Sequence, residues 1–183
     1  MNNSILKGLE GVHPQNTVDG PSKEAPFCGD INMRITRDGV WHYNGSPINR
    51  MPMVKLFASV LKREETGDFW LETPVEKCRI QVDDAPFTAV DLSVSGFGQA
   101  QCVSFRTNLD EDLIAGPDHP IRLVHDTVTG NPSPYVLVRD RLDALITRAV
   151  YYDLVERAVE INRDRHTRLC VWSDGASFEL GIV

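Results

Sequence analysis

No apolar run in this 183-residue chain approaches the roughly 20 residues that a membrane-crossing helix needs, which predicts no membrane span. Residues 1–8 lack the basic start and following apolar stretch of a secretory leader, so the expected location is cytoplasmic. No two cysteines stand as Cys-x-x-Cys. Cys28, Cys78, Cys102 and Cys170 are far apart, which removes zinc-ribbon and thioredoxin-like spacings and predicts buried free thiols. Positive charge is short as well: 19 Lys and Arg face 26 Asp and Glu, for a formal net charge of -7. That balance opposes phosphate backbones and anionic bilayers, so neither duplex nucleic acid nor a membrane is expected as a partner.

The familiar catalytic signatures are missing too. No phosphate-binding loop, dinucleotide fingerprint, His-Glu-x-x-His, nucleophile elbow or EF-hand loop occurs. The five histidines His13, His42, His119, His125 and His166 include no close pair at metal-ligand spacing. No metal, cofactor or catalytic residue is therefore assigned, and whether the chain is an enzyme stays open.

What is present is an ordinary globular composition, 42% hydrophobic and 25% charged. A chain of this length buries about 70% of its extended surface on folding, enough for a substantial core. Residues 13–30 are rich in Pro and Gly turns and read as an irregular lead-in. Alternation over residues 31–36 and 40–43, joined by Arg37-Asp38-Gly39, signals a β-hairpin. Met53, Leu56, Phe57, Val60 and Leu61 recur at helical spacing, predicting a helix over 52–65 with Pro52 in its first turn and Gly67 at its end. Strands follow over 69–73, 78–82 and 88–94.

The second half repeats the theme, with strands over 102–106, 121–125 and 135–138. Asp140 is read as the cap of a helix of about 20 residues. A closing hairpin spans 166–172 and 176–182 over Ser173-Asp174-Gly175. The halves register without gaps at an offset of 94 residues, setting Trp41 against Tyr135, Leu56 against Val150 and Val60 against Leu154. The expected fold class is α+β: two similar strand-helix-hairpin units with mostly antiparallel sheets. Residues 1–28 form the lead-in, 29–95 the first unit and 96–183 the second.

Candidate chemistry is sparse. His42 alternates with Trp41 and Tyr43 on a strand, where an exposed strand histidine is the plainer reading of it. Asp83 and Asp84 are adjacent, so in extended backbone they point to opposite faces, and Asp-Asp-x-Pro is commonly a turn. Arg34, Arg37 and Arg50 in the first unit and Arg106, Arg122 and Arg139 in the second offer forks for phosphate or carboxylate if they converge.

The ordered series Gly29-Asp30-Ile31-Asn32-Met33-Arg34-Ile35, Asp38-Gly39-Val40-Trp41-His42-Tyr43, Gly45-Ser46-Pro47-Ile48, Thr73-Pro74-Val75-Glu76-Lys77 and Val82-Asp83-Asp84-Ala85-Pro86-Phe87 resembles the proteobacterial family called domain of unknown function 1285. The likeness runs from about Cys28 to Gly175-Ala176-Ser177-Phe178-Glu179-Leu180-Gly181. It implies a duplicated architecture whose second unit is pleckstrin-homology-like, a ligand pocket at the interface between the units, a nucleotide-like ligand and a signalling role.

Three readings follow. The first is a non-enzymatic binding module for a small anionic or nucleotide-like ligand, with Arg34, His42, Arg50, Glu76 and Lys77 as its site. The second is a small hydrolase or transferase that uses Asp83, Asp84 or Glu76 with His42. The third is a protein-interaction adaptor working through a sheet edge or Tyr151-Tyr152. Ligand identity and oligomeric state are not legible at this level.

Overall fold

The structure is a computed structural model that describes residues 26–125, 130–163 and 166–182. Residues 1–25, which carry most of the expected lead-in, lie outside the described part. The chain divides into two compact units, one ending at Asp83 and the other comprising Arg37–Gly39 with the chain from Asp84 onward. Strands dominate both, with one α-helix in each among the described residues.

In the first unit β1 (Phe27–Ile35), β2 (Trp41–Tyr43) and β3 (Ser46–Pro47) precede helix α1 (Met51–Ser59), and β4 (Leu61–Arg63), β5 (Phe69–Glu72) and β6 (Lys77–Val82) follow it. They form one sheet in the order β3-β2-β1-β6-β5-β4, antiparallel except where β1 meets β6. The β1–β2 turn holds Gly39 at φ +80, and Asn44-Gly45 closes β2–β3 with φ 49 and 79, a left-handed pair that suits the twist of the strands. Met33, Ile35, Trp41, Leu71, Cys78 and Ile80 point to the buried side. Trp41 stacks on Phe57 of α1 at 6.3 Å between ring centroids, worth about 0.5–1.5 kcal/mol beyond the area the rings bury.

The expected helix over 52–65 is shorter than its sequence pattern. Pro52 does sit in the first turn, but the helix ends at Ser59. Leu61 to Arg63 instead pair with β5, Leu61 opposite Leu71 and Arg63 opposite Phe69. Gly67, at φ +95, serves the β4–β5 turn, where its amide donates to the Glu64 carbonyl. Val60 and Leu61 are apolar at helical spacing, yet they satisfy a buried strand equally well.

The second unit begins with β7 (Phe87–Ser95), β8 (Cys102–Thr107) and β9 (Asp112–Ile114), then β10 (Ile121–His125), β11 (Pro132–Arg139) and β12 (Leu142–Ile146). Its sheet runs β10-β11-β12-β7-β8-β9, with β12 and β7 parallel. Helix α2 (Arg148–Val155) then leads to a three-stranded sheet of β13 (Val159–Arg163), β14 (His166–Ser173) and β15 (Ala176–Ile182). The division after Asp83 puts β7 in this unit, although the sequence reading carried the first unit to residue 95; β7 pairs in the sheet with β8 and β12, both second-unit strands.

The 20-residue helix expected from Asp140 is not formed. Asp140 and Arg141 both take positive φ, 40 and 65, and make the tight turn between β11 and β12. Leu142, Asp143 and Ala144 are all buried, as in a strand covered on both faces, and the helix starts only at Arg148.

The two six-stranded sheets share one plan. In each, a first trio of strands and a second trio are joined side by side, the first strand of one trio parallel to the last strand of the other. By that plan β1 corresponds to β7 and β6 to β12. The repeat is therefore real, but the offset of 94 residues is not its register: it set Trp41 of β2, a second strand, against Tyr135 of β11, a fifth. It matched two helices that occupy different places, α1 between the trios and α2 after both.

Candidate functional site

The first-unit sheet has one face on the core and one turned outward. Strand alternation puts Trp70, Arg79, Gln81, Arg34 and His42 on the outward side. Cross-strand register lines them up: Trp70 lies opposite Arg79, Arg34 opposite Gln81, and His42 opposite Arg34. The result is a polar track across β5, β6, β1 and β2, three inter-strand steps with a two-residue offset along β6 between Arg79 and Gln81, or about 16 Å from end to end.

Both arginines on the track act as forks. Arg34 donates from Nε and Nη2 to the two oxygens of Asp83, each at 2.7 Å. Arg79 donates in the same way to Asp30 at 2.7 and 2.9 Å. The hydrogen bond from Arg79 holds the Asp30 carboxyl below the usual carboxylate range, and the bond to Asp83 raises Arg34 further. All four side chains are well exposed or partly so, and solvent screens ion pairs of that kind so that they add little to stability.

Trp70 is the aromatic end of the track. Phe27 meets it edge-on at 5.6 Å, the Lys77 ammonium lies 4.6 Å from the ring centroid and the Arg79 guanidinium 6.0 Å. Lys77 also pairs with Glu64. Of the five residues assigned from sequence, Arg34, His42 and Lys77 thus share the outward face. Arg50 is exposed at the start of α1, where its carbonyl accepts from the Met53 and Val54 amides. Glu76 is buried with 8% exposure, at the end of a turn that Thr73 closes by donating its hydroxyl to the Glu76 carbonyl and accepting from the Glu76 amide.

Sequence reasoning missed Trp70 and Arg79. The signal was present: Trp70 stands between Phe69 and Leu71, whose burial turns it outward.

The four cysteines do not all stay free thiols. Cys28 and Cys78 form a disulfide with Cα atoms 5.3 Å apart, which corrects that expectation; Cys102 and Cys170 are free. The neighbouring strands β1 and β6 bring the pair together, with Gly29 opposite Cys78.

Asp83 and Asp84 turn to different partners. Asp83 meets Arg34 in the first unit, while in the second Asp84 accepts from the Tyr135 hydroxyl at 2.6 Å and lies 3.3 Å from Arg37. Burial and the Asp84 hydrogen bond push the Tyr135 phenol up to about 12. Arg122 covers the Tyr135 ring at 5.2 Å and donates to buried Asp143 at 2.6 Å. Tyr151 donates to the Leu180 carbonyl at 2.6 Å, tying α2 to β15. A second-unit cavity of about 720 Å³ is lined by Asp112, Asp118 and Asp174 with His119, a set that repels anions.

The chain is similar to known proteins over most of its length. Residues 22–85 match the family described as "Domain of unknown function (DUF1285), N-terminal domain", and residues 86–180 match "Protein of unknown function (DUF1285), C-terminal domain". A crystal structure of a DUF1285 family protein from Silicibacter pomeroyi DSS-3 is 44% identical, covers 100% of this chain and 97% of its own, and has a TM-score of 0.83. Another from Shewanella baltica OS155 is 27% identical over 69% of this chain and 92% of its own, with a TM-score of 0.55. No curated protein matches.

Proposed function

The chain belongs to the DUF1285 family in both of its halves, and from that premise we propose that it is a non-enzymatic binding module for a small, planar, anionic ligand of nucleotide-like chemistry. The observation that carries the reading is the outward track of the first unit, with Trp70 at one end and the Arg79 and Arg34 forks beyond it. Trp70 is half-buried, a base stacks on an aromatic ring for about 1–3 kcal/mol, and the planar forks match phosphate oxygens two at a time. Asp30 and Asp83 hold the forks in place through weak, exposed pairs that an arriving phosphate displaces at small cost. A signalling role and a pleckstrin-homology-like second unit belong to the same reading, the latter supported by its mostly antiparallel strands with a helix packed against β7.

The acid/base alternative is weaker because Asp84 is already engaged by the Tyr135 hydroxyl and Arg37, and Glu76 is buried. Calorimetric titration with adenosine and guanosine mono- and triphosphates, with inorganic phosphate as reference, tests the proposal. Binding is expected for the wild type, with about ten-fold weakening or more in Trp70→Leu and in Arg79→Gln. A folded protein that binds none of these compounds at millimolar concentration refutes it.

A further inference from the structure

Beyond that reading, one cluster in the first unit has chemistry of its own. Cys28 and Cys78 lie beside Glu76, and a carboxylate oxygen of Glu76 and the two sulfurs stand within 4.8 Å of one another. Cys78 is fully buried and Glu76 nearly so, and Glu76 Oε1 finds no hydrogen-bond partner among the described residues. A dry carboxylate oxygen without a donor is unfavourable unless something else neutralises it. A disulfide offers it nothing, since neither sulfur carries a proton.

We propose that Cys28, Cys78 and Glu76 form a redox-gated site for a thiophilic divalent cation of the zinc class. In the oxidised state the sulfurs are bonded to each other and the site is closed. A dithiol reductant opens it: two electrons and two protons convert the disulfide to two thiols while the reductant becomes a disulfide. The cation then displaces both thiol protons and takes two thiolates and the Glu76 carboxylate. One position remains for water, the arrangement of an open zinc site. Ligand atoms held about 2.0–2.3 Å from one ion at tetrahedral angles lie about 3.3–3.8 Å apart, so side-chain movements of about an ångström or two suffice. Exposure of Cys28 leaves a path for both reductant and ion. Because binding releases two protons, affinity falls as pH falls.

The test uses the full chain, reduced with a dithiol, freed of reductant under anaerobic conditions and titrated with Zn²⁺ against a chromophoric chelator. Cd²⁺ serves as a second probe, read by its thiolate charge-transfer absorption. The reduced chain is expected to bind one ion and the oxidised chain none. Glu76→Gln should weaken binding at least about ten-fold, the size seen even for outer-shell partners of a metal. Cys28→Ser, compared with the reduced wild type, which also lacks the disulfide, should abolish the cadmium-thiolate signal, while a combined Cys102→Ser and Cys170→Ser variant keeps it. Absence of binding by the reduced chain, equal binding by the oxidised chain, or binding that survives Cys28→Ser overturns the proposal.

Discussion

Replacing Tyr135 with Phe should remove a defined part of the alkaline sensitivity of the second unit. The phenol is buried with 8% exposure and donates to Asp84 at 2.6 Å. Desolvation first, and the Asp84 bond second, disfavour the phenolate, so the folded-state value rises from 10.0 to about 12. A group raised on folding contributes stability fully present below its unfolded value, lost as pH climbs through the folded one. Between pH 10 and about 12 the unfolded chain releases this proton and the folded chain keeps it. Each pH unit costs about 1.4 kcal/mol before solvent screening of this partly covered group is discounted, so the loss across the window stays below about 3 kcal/mol. At neutral pH the Phe variant should already be weaker by about 1.5–3 kcal/mol, the worth of a hydrogen bond to a charged acceptor. Denaturant unfolding at a series of pH values, with phenolate absorbance followed in parallel, measures both effects. Other groups that titrate in this range cancel in the difference between the proteins. Parallel stability curves for wild type and Tyr135→Phe through the window would refute the assignment.

Other consequences are as direct. Ser173 is fully buried, donates to the Ala115 carbonyl at 2.6 Å and accepts from the Val103 amide at 2.8 Å; Ser173→Ala orphans both and should cost about 2–4 kcal/mol by chemical denaturation. Gly39→Ala places a Cβ 2.6 Å from Asn108 Nδ2 at a φ of +80, so a loss of about 1–3 kcal/mol is expected, and wild-type stability would refute the tight fit. Reduction of Cys28–Cys78, 50 residues apart, releases a loop worth up to about 4 kcal/mol of unfolded-chain entropy, seen as a lower denaturation midpoint in dithiol with chelator present.

How much was legible follows from the range of each interaction. The hairpins at Gly39 and at Asp174-Gly175 were readable because a turn residue and its flanking alternation sit within a few positions of each other. The turn at Asp140-Arg141 was not, since neither residue is the glycine that usually marks a left-handed pair, and an Asp before an apolar stretch reads as a helix cap. Leu142 to Ile146 then looked helical because a strand buried on both faces loses its period of two. His42 and Arg34 were nameable one by one, but their alignment across a strand pair was not.

The same distinction locates the chemistry. Parallel pairing of β1 with β6 brings together residues about 50 positions apart: Asp30 with Arg79 and Arg34 with Asp83 at a separation of 49, and Cys28 with Cys78 at 50. All three contacts lie along one seam. A parallel pair requires a long crossover, here carrying β2, β3, α1, β4 and β5, so no local spacing can announce it. Opposite faces of that seam carry the two proposed sites, because alternation sends Arg79 outward with Trp70 and sends Cys78 inward beside Glu76. A substitution that shifts β1 by one residue against β6 would exchange those faces, and so should disable anion binding and thiol pairing together. A variant in which one survives without the other would show that the two sites are set by separate features.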